Sequence, residues 1–421
     1  MIVTPPRISG LDLEFVAPPS KSYTHRALIC GALGDGSTTL INPLDAEDTR
    51  LTMNALATLG ICLEMHPNRV IITGCNGTIP ASSDITLDLD NSGTSLRLLT
   101  SLALLSRYPV VLTGSRRMQE RPIGPLARAL PALGGVVEFL KNEGFPPLKV
   151  SGRFTGGQVA IDGSMSSQFI SSILLAAPYA ENEVEVVIPS AIASRSYLDI
   201  TLDVMRHFGA KVSRNGYTGF RVSNRHRYSG KTYAIEGDYS SASYFFAIAA
   251  VCGGRVSVGN LEQGSVQGDR AFLNALSAMG CTVTFSPDAV TVERTGDLTG
   301  ITCDMASSPD TVQTLCMVAA IAKTTTVITG IGHLKFKESD RITSTAQRLR
   351  SIGGNVLIDA DRITIIPGPL HGGTIDPEND HRTAMSFAVL GLAVGGITIT
   401  HAECVNKSFP GFWTALSGVL E

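Results

Sequence analysis

The sequence predicts an α/β protein built from six copies of one βαβαββ unit, read in circular order. Three observations carry this. Helical runs of small apolar residues alternate with short β-branched strands along the whole chain. Glycines that end helices stand at 60, 134, 209, 280 and 353, separated by 74, 75, 71 and 73 residues. One glycine after a helix is an ordinary stop, but five at near-equal spacing mean duplication. The composition, 43% hydrophobic and 17% charged over 421 residues, suits a soluble globular chain with more than one sizeable core.

The elements follow in order. In the first copy a helix through Arg26-Ala27-Leu28-Ile29 leads to a strand at Ser37-Thr38-Thr39-Leu40-Ile41-Asn42, and a second helix runs from Asp48 to Leu59. The second copy offers a helix over 98–106, a strand over 110–113 and a helix over 125–133. The corresponding stretches are 171–177, 184–188 and 197–208 in the third copy, and 242–251, 256–258 and 269–279 in the fourth. In the fifth they are 312–322, 327–329 and 341–352, and in the sixth 384–394, 397–400 and 409–420. Further strands lie between helices: Ile85, Leu87 and Leu89 alternate with Thr86, Asp88 and Asp90, and Val159/Ile161 and Ile363/Ile365 repeat the pattern. No linker marks a boundary, so six copies divide most simply three and three, with a crossing near Glu236-Gly237-Asp238.

Composition also excludes some functions. A net charge of −3 gives no bulk attraction to nucleic acid or an anionic membrane, so any anion site must be a local cluster. The start, MIVTPPRISGLDLEF, has no signal-peptide pattern, and no run of residues is apolar enough to span a bilayer. Eight scattered cysteines without CxxC, and histidines without HExxH, predict reduced thiols in a cytoplasm, with no structural metal.

Polar motifs open the helices. Lys337-Glu338-Ser339-Asp340-Arg341 follows an apolar strand and is read as the start of a helix, with Lys337, Glu338 and Arg341 on one face. Helix starts favour anions, so two cations and a carboxylate there suit acid–base work on a phosphate or carboxylate. Equivalent places carry Lys21, Ser22 and Arg26; Asn91-Ser92-Gly93-Thr94 with Arg97; and Arg116, Arg117 and Arg121 around Glu120. Others carry Gly163-Ser164-Met165-Ser166-Ser167-Gln168, Ser194 and Tyr197 around Arg195, Asp310, and Asn379-Asp380-His381-Arg382 followed by Lys407. Each alone reads as an ordinary cap or a solvated turn. Their recurrence at equivalent points of repeated units argues for a ligand.

Taken together, PSKSYTHR, NSGT, RPI at 121–123, GSMSSQF at 163–169, KESDR and NDHR resemble 5-enolpyruvylshikimate-3-phosphate synthases over nearly the whole chain. The resemblance implies two similar domains, each of three repeats in an inside-out α/β barrel-like arrangement, with the active site in the interdomain cleft. It implies a domain of 1–19 plus 238–421 and an inserted domain of 20–237. It implies cofactor-free transfer of enolpyruvyl from phosphoenolpyruvate to the 5-hydroxyl of shikimate-3-phosphate, on the route to chorismate and the aromatic amino acids. By the same resemblance shikimate-3-phosphate meets Lys21, Ser22, Arg26, Ser166, Ser167, Gln168, Ser194, Tyr197, Asp310 and Lys337. Phosphoenolpyruvate meets Lys21, Gly93, Arg121, Gln168, Arg341, Arg382 and Lys407, with Asp310, Glu338 and Lys21 catalytic. The expected assembly is a cytoplasmic monomer with small-molecule partners and no nucleic acid or membrane.

Two departures stand out: Leu98 where many members have Pro, and His333 where some have Asn. The rival UDP-N-acetylglucosamine enolpyruvyl transferases carry a reactive Cys before their RP dipeptide, whereas residues 116–120 here contain none. RNA-end cyclases use related repeats but require a basic RNA-tracking face. A non-catalytic anion-binding descendant would have little use for Asp310, Glu338 and Lys21 together.

Overall fold

The computed structural model describes residues 1–287 and 289–418. The chain is mixed α/β and divides into two compact units, Pro19–Ile235 and Met1–Pro18 joined with Glu236–Glu421. Each has its own hydrophobic core.

In the inserted unit, helices α1 (Lys21–Leu33), α3 (Gly93–Leu102) and α5 (Ser167–Ala176) form the centre, while α2 (Glu47–Thr58), α4 (Gly124–Ala129) and α6 (Ser196–His207) are the second helices of their repeats. Small hydroxyl residues bring the central helices close. The Ser172 hydroxyl of α5 donates to Ser101 Oγ of α3 at 2.8 Å, and Ser171 of α5 shares a hydrogen bond of 2.8 Å with Thr201 of the second helix α6. These buried hydroxyls satisfy one another, so they add specificity without a desolvation penalty.

Three sheets of the same design accompany these helices. In one, strand 85–88 pairs parallel with 110–113, which pairs antiparallel with 148–152, which pairs antiparallel with 135–139. The sheet of strands 157–160, 184–187, 219–222 and 212–215 repeats the order. In the remaining sheet the parallel position is taken by 232–234, the last strand of the unit, against 37–41. One strand of each unit must therefore come from far away in sequence.

The discontinuous unit shows the same construction. Its central helices are α7 (Tyr239–Cys252), α9 (Val312–Ile321) and α11 (His381–Val394); α8 (Ala271–Ala278), α10 (Arg341–Ser351) and α12 (Phe412–Ser417) are the second helices. All fourteen residues of α7 are buried. The N-terminal strand 11–16 supplies the parallel partner of 254–259, with Leu13 opposite Val256. The last sheet has only two strands, 373–375 and 397–399, and Val3 bridges antiparallel to Ile399 where the other sheets place a third strand. Every sheet is open among the described residues, so helices fill the centre but no barrel closes.

Three expectations about elements need correction. The central helices begin earlier than their apolar runs suggest: at 93 rather than 98, 167 rather than 171, 239 rather than 242 and 381 rather than 384. Their first turns are polar, so hydropathy alone misses them, and the motif residues sit inside the helices. Conversely, α10 does not include Lys337 and Glu338. The Asp340 carboxylate accepts from Thr343 N at 3.2 Å and starts the helix at Arg341, leaving Lys337–Ser339 on the approach to it. Finally, α12 spans 412–417 rather than 409–420, and the part of that expectation beyond 418 lies outside the described residues.

Candidate active site

In the inserted unit, polar side chains gather at the N-termini of the central helices. Ser92 and Ser166 cap α3 and α5, accepting from Ser95 N at 3.4 Å and Gln168 N at 3.2 Å. A relay of hydrogen bonds, His25 to Thr52, Thr52 to Ser95 and Ser95 to Ser92, each 2.7 Å, ties α1, α2 and α3 together. The Lys21 ammonium donates to Asp48 Oδ2 at 3.2 Å, with only 2% of the Asp48 side chain exposed. A lysine held against a buried carboxylate stands at a fixed place, where it can face an anion.

Arginines complete this cluster. Arg97 Nη1 donates to Gln168 Oε1 at 2.9 Å, and Gln168 Nε2 donates to Thr94 Oγ1 at 3.0 Å. Arg121 is buried and donates to the Asn91 carbonyl at 3.2 Å. A Cβ on Gly93 would stand 2.6 Å from the Arg121 Cζ, so glycine there makes room for the guanidinium. Ser194 adopts φ 57°, a strained conformation for serine, in the turn before α6.

Arg26 is held within α1 and against α6. Only 1% exposed, it donates to Thr201 Oγ1 at 2.7 Å and to the carbonyls of Ser22 at 2.8 Å and Tyr197 at 3.2 Å. Burial pulls its pKa down to about 10, still far above neutrality, so it remains a cation. Its position fastens the segments that carry Ser22 and Tyr197. Arg116 and Arg117, by contrast, make exposed ion pairs with Glu120 at 3.7 and 3.3 Å, which stabilise little.

The discontinuous unit gathers three carboxylates around two guanidiniums. Arg341, 2% exposed, donates from Nε to Asp380 Oδ2 at 2.9 Å, from Nη1 to Asp310 Oδ1 at 3.0 Å and from Nη2 to Glu338 Oε2 at 2.8 Å. Arg382 donates to Asp310 Oδ2 at 2.8 Å, to the Asp310 carbonyl at 3.0 Å and to Tyr244 Oη at 3.3 Å. Burial works against the charge on Arg341, but Asp380, Glu338 and Asp310 outweigh it and raise its pKa. Burial likewise opposes the Asp380 charge, and Arg341 overcomes it and lowers that pKa. Such pairs are held by mutual compensation, so removing one partner strands the other.

His333 lies close enough for the charges of this cluster to act on it. Burial and then the Lys337 ammonium lower its pKa to about 4, which leaves the ring neutral at pH 7. Lys407 is buried in the segment after strand 397–399. Among the described residues no group of His, Cys, Asp and Glu is arranged to hold a metal ion.

A family model described as EPSP synthase, 3-phosphoshikimate 1-carboxyvinyltransferase, matches residues 7–416. The chain belongs to the EPSP synthase family. A curated 3-phosphoshikimate 1-carboxyvinyltransferase of Methanoregula boonei is 62% identical over 421 residues, covering the whole of both chains. That of Photorhabdus laumondii is 42% identical over 413 residues, 97% of this chain and 96% of its relative. A solved EPSP synthase from Acinetobacter baumannii superposes with a TM-score of 0.83 at 28% identity, over 99% of this chain and 98% of its own.

Within that family frame, Lys21, Gly93, Arg121 and Gln168 fall into one cluster, and Asp310, Glu338, Arg341 and Arg382 into another. The roles of Asp48 and Asp269 and the charge role of Asp380 are not legible in the sequence. Asp48 and Asp380 looked like first-turn or capping residues, and only the fold sets them against Lys21 and Arg341.

Proposed function

We propose that the two clusters divide one reaction: transfer of the enolpyruvyl group of phosphoenolpyruvate to the 5-hydroxyl of shikimate-3-phosphate, with release of phosphate. The observation that carries this is Asp310 and Glu338 meeting on Arg341, with Arg382 also on Asp310. Addition requires a base for the hydroxyl and an acid for C3 of phosphoenolpyruvate, and elimination requires stabilisation of the departing phosphate. In this reading Asp310 takes the hydroxyl proton and Glu338 delivers a proton to C3. Arg341 and Arg382 supply the cationic forks that match the substrate carboxylate.

In the inserted unit, Lys21, Ser22, Ser166, Ser167, Gln168, Ser194 and Tyr197 hold shikimate-3-phosphate, and Arg26 acts from beneath by fixing Ser22 and Tyr197. Lys337 in the discontinuous unit joins Asp310 on that substrate. Gly93, Arg121, Gln168 and Lys407 serve phosphoenolpyruvate, and Lys21 stabilises charge on the departing phosphate. We further read the protein as a monomer working in the cytoplasm on small molecules alone, without a cofactor and without nucleic acid. No described helix is long and apolar enough to cross a membrane.

The test is phosphate release from phosphoenolpyruvate with purified protein, given shikimate-3-phosphate or UDP-N-acetylglucosamine in parallel. Release with shikimate-3-phosphate alone is expected. Release with the nucleotide sugar, or with neither, rejects the reading.

A further inference from the structure

A second carboxyl is built into the frame that carries Asp310. Asp269 sits in the turn Gly268–Arg270 before α8 and is 5% exposed, whereas 16% of the Asp310 side chain reaches solvent. The Asp269 carboxyl bonds with the Ser240 hydroxyl in the first turn of α7. Its turn is joined directly to the one holding Asp310, because Ser308 Oγ donates to the Gly268 carbonyl at 2.5 Å. On the other side Gln267 accepts from Tyr239 N at 3.1 Å and donates to the Gly237 carbonyl at 2.7 Å. Hydrogen-bonded neighbouring turns therefore carry both carboxyls.

Their partners differ in kind. Asp310 takes guanidinium hydrogen bonds on both oxygens, from Arg341 and Arg382, while Asp269 takes a serine hydroxyl. Two carboxyls in one poorly solvated place do not ionise together easily, and the one with the guanidiniums ionises first. We propose that Asp269 is a positioning residue that holds the proton of this pair, so that Asp310 stays ionised and able to accept the hydroxyl proton. The Ser240 hydroxyl fixes the Asp269 carboxyl in place.

The electrostatics agree. Burial, and then the Asp310 charge, push the Asp269 pKa up to about 7, against the pull of Arg382 and the Ser240 hydrogen bond, with Asp238 adding to the rise. The charged groups that act on Asp269 include Asp310 on its neighbouring turn, Arg382 on α11 and Asp238 at the cap of α7; Arg341 on α10 bears on it through Asp310. Above that pH a second negative charge appears beside Asp310 and competes for Arg382. Capture of a multiply charged anion then weakens.

This rests on the reading of Asp310 as the base. The experiment compares kcat/KM for phosphoenolpyruvate in the native protein and in Asp269→Asn from about pH 6 to about pH 9, where one ionisation costs about tenfold per unit beyond its pKa. The native protein is expected to lose activity on that limb, and Asp269→Asn, whose amide still meets Ser240, to stay flat within about twofold. An unchanged limb in the variant overturns the inference. If the variant does not fold, carbon-13 titration of the aspartate carboxyls in the native protein decides. One buried carboxyl still protonated near pH 7 supports the proposal, and ionisation of all of them by about pH 5 rejects it. Full activity of Asp310→Asn would instead reject the base assignment, leaving the carboxyl titration to stand or fall alone.

Discussion

Arg341 gives its donors to three carboxylates on three different segments, at 2.8 to 3.0 Å. A side chain so occupied orients Glu338 and Asp310 before any substrate arrives, which is the preorganisation that electrostatic catalysis needs. Glu338→Gln keeps the shape and one hydrogen-bond acceptor but cannot deliver a proton. It is expected to bind both substrates while losing roughly 10²–10⁴-fold in kcat, measured by steady-state phosphate release. A rise in KM with unchanged kcat would contradict the role. Gly93 makes a second prediction at this scale. In Gly93→Ala the new methyl falls 2.6 Å from the Arg121 Cζ and must push the guanidinium aside. The expected result is a higher KM for phosphoenolpyruvate, with affinity for shikimate-3-phosphate largely kept, read from kinetics and titration calorimetry.

The central helices explain why polar side chains gather within each unit. Their bodies are almost wholly buried, and their first turns carry Lys21, Gly93, Ser167, Tyr239 and His381. A helix start has unsatisfied N–H groups and a partial positive charge, so polar residues and anions are tolerated there at the edge of an apolar core. The element's stability therefore rests on its body, not on its functional end. Leu315, fully buried in α9, tests this. Leu315→Ala is expected to lower stability by about 2–5 kcal/mol in urea unfolding, through the cavity it leaves. Activity measured well below the unfolding midpoint should change little.

At the scale of the whole molecule, two buried groups pull the pH dependence of stability in opposite directions. Asp269 has its pKa raised from 3.8 to about 7, so its protonated form favours folding, and its contribution is lost as pH rises through that window. His333 has its pKa lowered from 6.5 to about 4, so its neutral form favours folding, and its contribution grows as pH rises between those values. In Asp269→Asn only the histidine slope remains. Its melting temperature should therefore climb more steeply between about pH 4 and about pH 7 than that of the native protein, measured by calorimetry. The two cores make another prediction. The inserted unit is one continuous stretch with its own core and all its strand partners. Expressed alone, residues 19–235 should unfold in a single cooperative transition; a non-cooperative melt would show that this core is insufficient by itself.

The sequence by itself determined the α/β class, the recurring helices and strands, and the family, because these depend on local periodicity and on short motifs. Leu11, Leu13 and Phe15 alternate with Asp12 and Glu14, a strand pattern whose partner at 254–259 lies far along the chain. Helix starts are the least legible part, because propensity and hydropathy are weakest in a polar first turn. Which charge meets which was decided only by tertiary structure. Lys21 and Asp48 are 27 residues apart, Arg341 and Asp380 39, and Arg26 and Thr201 175. Burial and pairing arise from packing between helices, and no spacing in the chain encodes them. That is why Asp269 looks like any turn aspartate in the sequence and becomes a proton holder only when folded against Ser240 and Asp310.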